Sequence, residues 1–133
     1  VEIKPCPGRE VETAKEVVLV IGRVWPRGRK LPLLSSFATG SLLAARLAAP
    51  ELPRGLLIWE KPENWAEQAR ELACASVHCA DQFLTPDWAA GIKRAGYALA
   101  VYTVNDPARA RTLVAWGADS IITDRPDVIA AAI

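Results

Sequence analysis

Residues 98–126 read ALAVYTVNDPARARTLVAWGADSIITDRP, and this stretch decides the fold. Ala98 to Val104 is an unbroken apolar and β-favouring run, the signature of a strand buried on both faces. Asp106-Pro107 then supplies a cap and a first-turn proline, and the helix they open runs to about Trp116 and stops at Gly117. Ser120 to Thr123 is apolar again, and Asp124 with Pro126 opens another helix. Strand, helix, strand in so few residues is a βαβ unit, and its two strands must be parallel.

The same alternation extends back through the chain. Val1–Pro5 reads as a strand, and 9–25 as a helix with Val11, Val17, Val18, Ile21 and Val24 at three-to-four spacing. Further strands are expected at 33–37, 55–59 and 74–79, and helices at 40–49, 62–72 and 87–95, the last opened by Thr85-Pro86 and closed by Gly96. The order is βα repeated along the whole chain, which demands a parallel α/β sheet. That sheet either stays open and doubly wound or forms part of a (β/α)₈ barrel. No G-x-G-x-x-G or G-x-x-x-x-G-K-[ST] loop occurs, which weakens the open nucleotide-binding alternative. A full barrel needs about 250 residues. The absence of methionine and a start inside a strand therefore read as a longer protein lacking its front, on the order of 100 residues.

The 133 residues are 51% hydrophobic and 23% charged, which excludes a disordered chain. A formal net charge of +1 provides no field for nucleic acid or an anionic membrane surface. No apolar run is long enough to span a bilayer, and Glu2, Lys4, Arg9 and Glu10 break any signal-peptide pattern. Cys6, Cys74 and Cys79 are odd in number and lack C-x-x-C spacing, so they read as reduced thiols of a cytoplasmic protein. One histidine, His78, rules out a histidine metal cluster within these residues.

Glu2 and Lys4 are the sharpest candidates. Two apart on a strand, they share one face, while Val1 and Ile3 turn to the other. Side by side they could serve as a hard-cation ligand and a phosphate-binding charge, or as an ion pair at a strand edge. Tyr102 and Asn105 stand where a strand ends, the position of active-site groups in a barrel. Tyr102 could wall a pocket or be core, and Asn105-Asp106 could be only the helix cap. Phe37 could line a pocket mouth, and Ser35 and Ser36 lack a G-x-S-x-G elbow for a nucleophile. His78 is expected near the end of its strand, on the same face as Ser76, either structural or lining the active face. Glu60, beside Trp59, is a rim candidate, and Asp124 reads as a helix cap.

Four stretches resemble one family in order and spacing. Val1-Glu2-Ile3-Lys4-Pro5 is similar to the "EIK" strand of glycerophosphodiester phosphodiesterases, and Leu34-Ser35-Ser36-Phe37 to their next strand. Tyr102-Thr103-Val104-Asn105 resembles their "W/Y-T-V-N" strand, and Gly117–Pro126 their "G-D-x-I-x-T-D-x-P" ending. Pro53–Leu57 and Ser76–His78 look closest to bacterial cytosolic enzymes of glycerol-phosphate uptake. The resemblance covers essentially the whole chain. It implies a TIM (β/α)₈ barrel of which residues 1–133 are the last six βα units, an incomplete barrel lacking its first two.

The resemblance also implies hydrolysis of glycerophosphodiesters to sn-glycerol 3-phosphate and an alcohol, a step of lipid and glycerol metabolism, with Mg²⁺ or Ca²⁺ as divalent cation. Glu2 maps onto a metal-ligating glutamate, Lys4 onto a catalytic lysine near the phosphate, and Tyr102 onto the aromatic residue of the substrate pocket. Phe37 and His78 are the further substrate-binding candidates. The family's first-strand His-Arg pair, its two further acidic ligands and its second catalytic His find no counterpart here. The expectation is an inactive fragment whose open barrel edges invite homo-oligomerisation. The rivals are a non-catalytic partial barrel that binds a phosphate ligand or a partner, and another phosphate-handling barrel enzyme.

Overall fold

The computed structural model describes residues 1–133. It divides into two compact units, residues 1–57 with 67–75, and residues 58–66 with 76–133.

In the first unit, α1 (Glu10–Val24) follows a turn at Gly8 and carries Glu10 and Glu12 in its first turn, where the helix dipole favours anions. β1 (Leu34–Ser36) and β2 (Arg54–Ile58) pair in parallel, Leu34 opposite Arg54 and Ser36 opposite Leu56. Between them runs α2 (Thr39–Ala48). Small residues let α1 and α2 approach closely: a Cβ on Gly40 would stand 3.5 Å from Glu10 Cβ, and Ser41 Oγ donates to the Glu10 carbonyl at 3.0 Å. The core beneath them is Ile3, Ala14, Ile21, Leu34, Ala44, Ala45, Ala49 and Leu52. Arg54 is buried there and donates to the carbonyls of Pro50, Leu52, Leu72 and Ala73.

In the second unit, β3 (Ser76–Ala80), β4 (Ala98–Tyr102) and β5 (Ser120–Ile121) are parallel, with His78 opposite Ala100 and Val101 opposite Ile121. Apart from the strand ends, β3 and β4 are buried, as their unbroken apolar runs require. α4 (Pro86–Arg94) is capped by Thr85, whose hydroxyl accepts from the Trp88 amide, and the chain leaves it through Gly96 in the left-handed region. α5 (Pro107–Ala115) is capped by Asp106, whose carboxylate accepts from the Ala108 amide at 2.7 Å. α3 (Trp65–Glu71) has residues in both units, and α6 (Pro126–Ile129) is one turn. No helix is long and apolar enough to cross a membrane.

Several expected elements are shorter than the sequence pattern promised. The strand over Val1–Pro5 is one parallel bridge, Glu2 with Ser35, because Pro5 has no N–H to extend it. The helix expected over 62–72 starts only at Trp65, after a turn held by the Trp65 amide and the Pro62 carbonyl. The strand expected over 98–104 ends at Tyr102, where the Tyr102–Thr103 peptide is cis. The final strand spans two residues and the final helix one turn. β3 begins and ends later than expected, so His78 is its middle residue rather than its end. A short 3₁₀ turn over Asp81–Phe83 follows it.

Candidate active site

In the first unit, the bridge at Glu2 fixes the alternation of the opening segment. The Ile3 amide donates to the Ser35 carbonyl at 2.7 Å, and Ile3 is 1% exposed in the core. Glu2 and Lys4 therefore turn to the opposite face, where Lys4 Nζ lies 3.4 Å from Glu2 Oε2. Their side chains are 34% and 76% exposed, so the pair stays solvated and costs little to hold. Ser36 Oγ donates to the Ile3 carbonyl at 2.7 Å and accepts from the Ala38 amide at 3.1 Å. That hydroxyl ties the segment to β1 and is not free to act as a nucleophile. Phe37 follows it and is exposed.

Glu2, Lys4, Pro7, Glu10, Ser36 and Phe37 line one open cleft of about 390 Å³. Two carboxylates, one ammonium and an aromatic ring meet in this cleft. Glu10 was not anticipated as a cleft residue, since its place in the first turn of a helix reads as dipole complementation. Its carboxylate accepts from the Gly8 amide at 3.1 Å. A divalent cation fits these residues only in part. Glu2 offers one carboxylate, no group of three or more His, Cys, Asp or Glu side chains gathers anywhere in the structure, and hard cations take six or so oxygens.

In the second unit, His78 is 8% exposed, and its Nε2 lies 2.8 Å from Ser76 Oγ. Burial disfavours the imidazolium and pushes its pKa down to about 4, so the ring is neutral near pH 7. Tyr102 is half-buried, and its hydroxyl donates to the Ile58 carbonyl at 2.8 Å. Asn105 joins two loops: Nδ2 donates to Asp124 at 3.1 Å, and Oδ1 accepts from the Thr123 hydroxyl and the Asp124 amide, each at 2.9 Å. Asp124 is thus held by Asn105, and the hydroxyl that accepts from the next amide, at Arg125, is that of Thr123. Asp119 accepts from the Leu99 amide at 2.7 Å and pairs with Lys93. The hydrogen bond from Lys93, then that from Leu99, holds this carboxyl below its usual range. Asp119 is therefore a latch between strand and helix.

Two arrangements at the strand ends were missed from the sequence. Asp81, next after β3, accepts from Arg109 Nε at 2.7 Å, and the Arg109 guanidinium lies 4.6 Å from the centre of the Trp116 ring. Trp59 and Phe83 meet edge to face, 5.7 Å between ring centres, and Trp59 is exposed. Glu60, beside Trp59, is exposed as well. The residues pair across 28 and 24 positions of chain, separations at which no periodicity signals a contact.

The chain matches the model of the glycerophosphoryl diester phosphodiesterase family over residues 1–128. No curated protein matches it. Among solved structures, an Oleispira antarctica phosphodiesterase in complex with the product sn-glycerol-3-phosphate is 36% identical, with a TM-score of 0.93 over 98% of this chain and 53% of its own. Glycerophosphodiester phosphodiesterases from Parabacteroides distasonis and Thermotoga maritima superpose with TM-scores of 0.80 and 0.72 at 23% and 24% identity. They too align with 98% of this chain, and with 53% and 55% of their own. The chain spans about half the length of the structures it matches, and its fold is part of the barrel they share.

Proposed function

The chain belongs to the glycerophosphoryl diester phosphodiesterase family, and on that premise we propose that it supplies part of an active site hydrolysing glycerophosphodiesters to sn-glycerol 3-phosphate and an alcohol. The observation that carries this reading is the 36% identity, over nearly all of this chain, to a phosphodiesterase in complex with sn-glycerol-3-phosphate.

Lys4 is the catalytic residue this chain contributes. Its exposed ammonium, steadied by Glu2, would neutralise charge on the phosphoryl oxygens as water attacks phosphorus and the alcohol departs. Phe37, in the same cleft, would wall the glycerol carbons. Tyr102 and His78 are proposed as substrate-binding groups on the family resemblance alone. His78 would act as a fixed neutral hydrogen-bonding group, since a pKa of about 4 and a buried ring make a poor proton carrier at pH 7.

Glu2 would be one ligand of a divalent cation, Mg²⁺ or Ca²⁺, whose chemistry in such a site is to stabilise phosphoryl charge. These residues provide neither the remaining ligands nor a proton carrier of suitable pKa. The 133-residue polypeptide on its own is therefore expected to be inactive. The free, unpaired state of Cys6, Cys74 and Cys79 favours a reducing, cytoplasmic setting.

The test is hydrolysis of glycerophosphocholine with Mg²⁺ or Ca²⁺. This chain alone is compared with the chain joined, ahead of Val1, to the portion of the Oleispira antarctica enzyme that it does not cover. Activity only in the joined protein, lost on Lys4→Ala, supports the reading. A joined protein that folds but stays inert favours a second reading, a partial barrel that binds a phosphate ligand without turnover. The lack of any gathered metal-ligand group in this chain is the observation that favours it.

A further inference from the structure

The near-balanced charge of the chain hides an uneven distribution. Residues 23–30, which leave α1 and lead toward β1, read RVWPRGRK, with four cations and no acidic side chain. Removing those four from the 16 basic residues leaves 12 against 15 acidic ones, a net charge of −3 for the rest of the chain. Every residue from Gly22 to Leu31 is exposed. Arg23, Arg27, Arg29 and Lys30 take part in none of the ion pairs of the structure, although Glu51 lines the cleft beside them.

The loop is shaped by its own backbone, and the charges are left to solvent. The Trp25 indole N–H donates to the Lys30 carbonyl at 3.0 Å, and the Arg29 amide donates to the Pro26 carbonyl at 3.3 Å. Gly28 takes a left-handed φ of 77° within that turn. Arg23, Arg27 and Arg29 share a cleft of about 540 Å³ with Trp25, Leu31 and Leu52. Trp25 is 37% exposed and Leu31 43%. Cations interleaved with an indole and an aliphatic side chain match an anionic bilayer, which offers phosphate outside and acyl carbon beneath. A nucleic acid would engage the same charges, and Leu31 would gain nothing from it.

We propose that residues 23–31 dock the protein peripherally on an anionic phospholipid surface. Arg23, Arg27, Arg29 and Lys30 meet the headgroup phosphates, and Trp25 and Leu31 reach the acyl boundary. Each basic residue near such a leaflet is worth about five-fold in partitioning, so the four together give on the order of several hundred-fold over a neutral one. The loop enters β1 from its N-terminal end, and Phe37 follows the C-terminal end. The cleft of Glu2, Lys4 and Phe37 therefore lies at the other end of β1 from the docked loop. On the functional reading above, this suits a substrate released into water when both acyl chains are removed from a bilayer phospholipid. The docking itself rests on the loop alone.

The experiment is cosedimentation with vesicles, run on the 133-residue chain and on the joined protein described above. Both should bind equimolar phosphatidylglycerol and phosphatidylcholine far better than phosphatidylcholine alone. Binding should fall as salt rises from about 0.05 to 0.5 M, because screening shortens the reach of the charges. Arg27→Gln with Arg29→Gln and Lys30→Gln should weaken it by about 100-fold. The same charge removed from α3, α4 and α5, as Arg70→Gln with Arg94→Gln and Arg111→Gln at exposed positions, should weaken it by about two-fold at most. Leu31→Asn should weaken it several-fold at low and high salt alike, because its contribution is apolar.

Equal binding to neutral vesicles, equal losses in the two triple variants, or no partitioning by either protein would each overturn the proposal. So would binding of a single-stranded RNA oligonucleotide through the loop cations by a protein that ignores vesicles, which would assign the loop to nucleic acid. Vesicle binding is read without turnover. A joined protein that docks but stays inert would support the docking and count against the phosphodiesterase reading alone.

Discussion

Ser76 Oγ and His78 Nε2 lie 2.8 Å apart on one buried face of β3. The pair satisfies two polar groups that burial would otherwise leave costly. His78 titrates near 6.5 when unfolded and at about 4 in the folded protein, because burial opposes its charge. The folded state binds fewer protons between those values. Stability from this residue is therefore complete above about pH 6.5 and is lost as pH falls toward 4. The whole swing is on the order of 3 kcal/mol. Melting temperatures measured from pH 7 to pH 4 should fall less steeply in His78→Gln than in the parent. Parallel slopes would show that the ring is not held neutral.

Arg54 is a buried cation handled without a carboxylate hydrogen-bonded to it. Its guanidinium donates to four carbonyls, at 3.3 Å (Pro50), 2.6 Å (Leu52), 3.0 Å (Leu72) and 3.1 Å (Ala73). Arg54→Met should cost about 2–4 kcal/mol, since it strands those acceptors. Arg54→Lys should recover only part of the loss, because an ammonium lacks the planar fork. Urea denaturation of the three proteins gives the ranking, and a Met variant as stable as the parent would contradict it.

The Glu2–Lys4 pair should matter to chemistry and not to folding. Both side chains reach solvent, so Lys4→Ala or Glu2→Gln should change stability by less than about 0.5 kcal/mol. In a joined, active protein each should lower kcat by about 100-fold or more, the scale of losing one preorganised electrostatic group. Thermal melts and steady-state kinetics on the same preparations separate the two effects. A large loss of stability with little loss of rate would reverse the assignment.

Much of the fold was legible because it is written locally. Thr85-Pro86 and Asp106-Pro107 open α4 and α5 as caps and first-turn prolines, and Gly96 and Gly117 take the left-handed backbone that follows each helix. The run from Ala98 to Tyr102 is buried as its composition demands. The opening strand is shorter than its apolar pattern suggests, because Pro5 has no N–H to extend the bridge at Glu2. The position of His78 shifted from strand end to strand centre, since apolar runs locate a strand better than they locate its ends.

At the candidate site, the alternation of Glu2, Ile3 and Lys4 was readable from a period of two. The roles of Asn105 and Asp119 as latches were not, nor was the Asp81–Arg109 pair, because each depends on residues brought together from distant parts of the chain.

The three thiols should differ sharply in reactivity. Cys6 is exposed, while burial pushes Cys74 up to about 11 and Cys79 up to about 12. Only thiolates react readily, so a chromogenic disulfide at pH 8 should titrate one thiol quickly and the other two only after unfolding. Three equally fast thiols would show that the cores around Cys74 and Cys79 open readily.

The most direct test of the central claim is release of sn-glycerol 3-phosphate from glycerophosphocholine, in the presence of Mg²⁺ or Ca²⁺, by this chain joined to the complementary portion of the Oleispira antarctica enzyme. The account predicts turnover by the joined protein, none by the 133-residue chain, and its loss on Glu2→Ala or Lys4→Ala. Turnover that survives both substitutions, or a folded joined protein that never releases product, would contradict it.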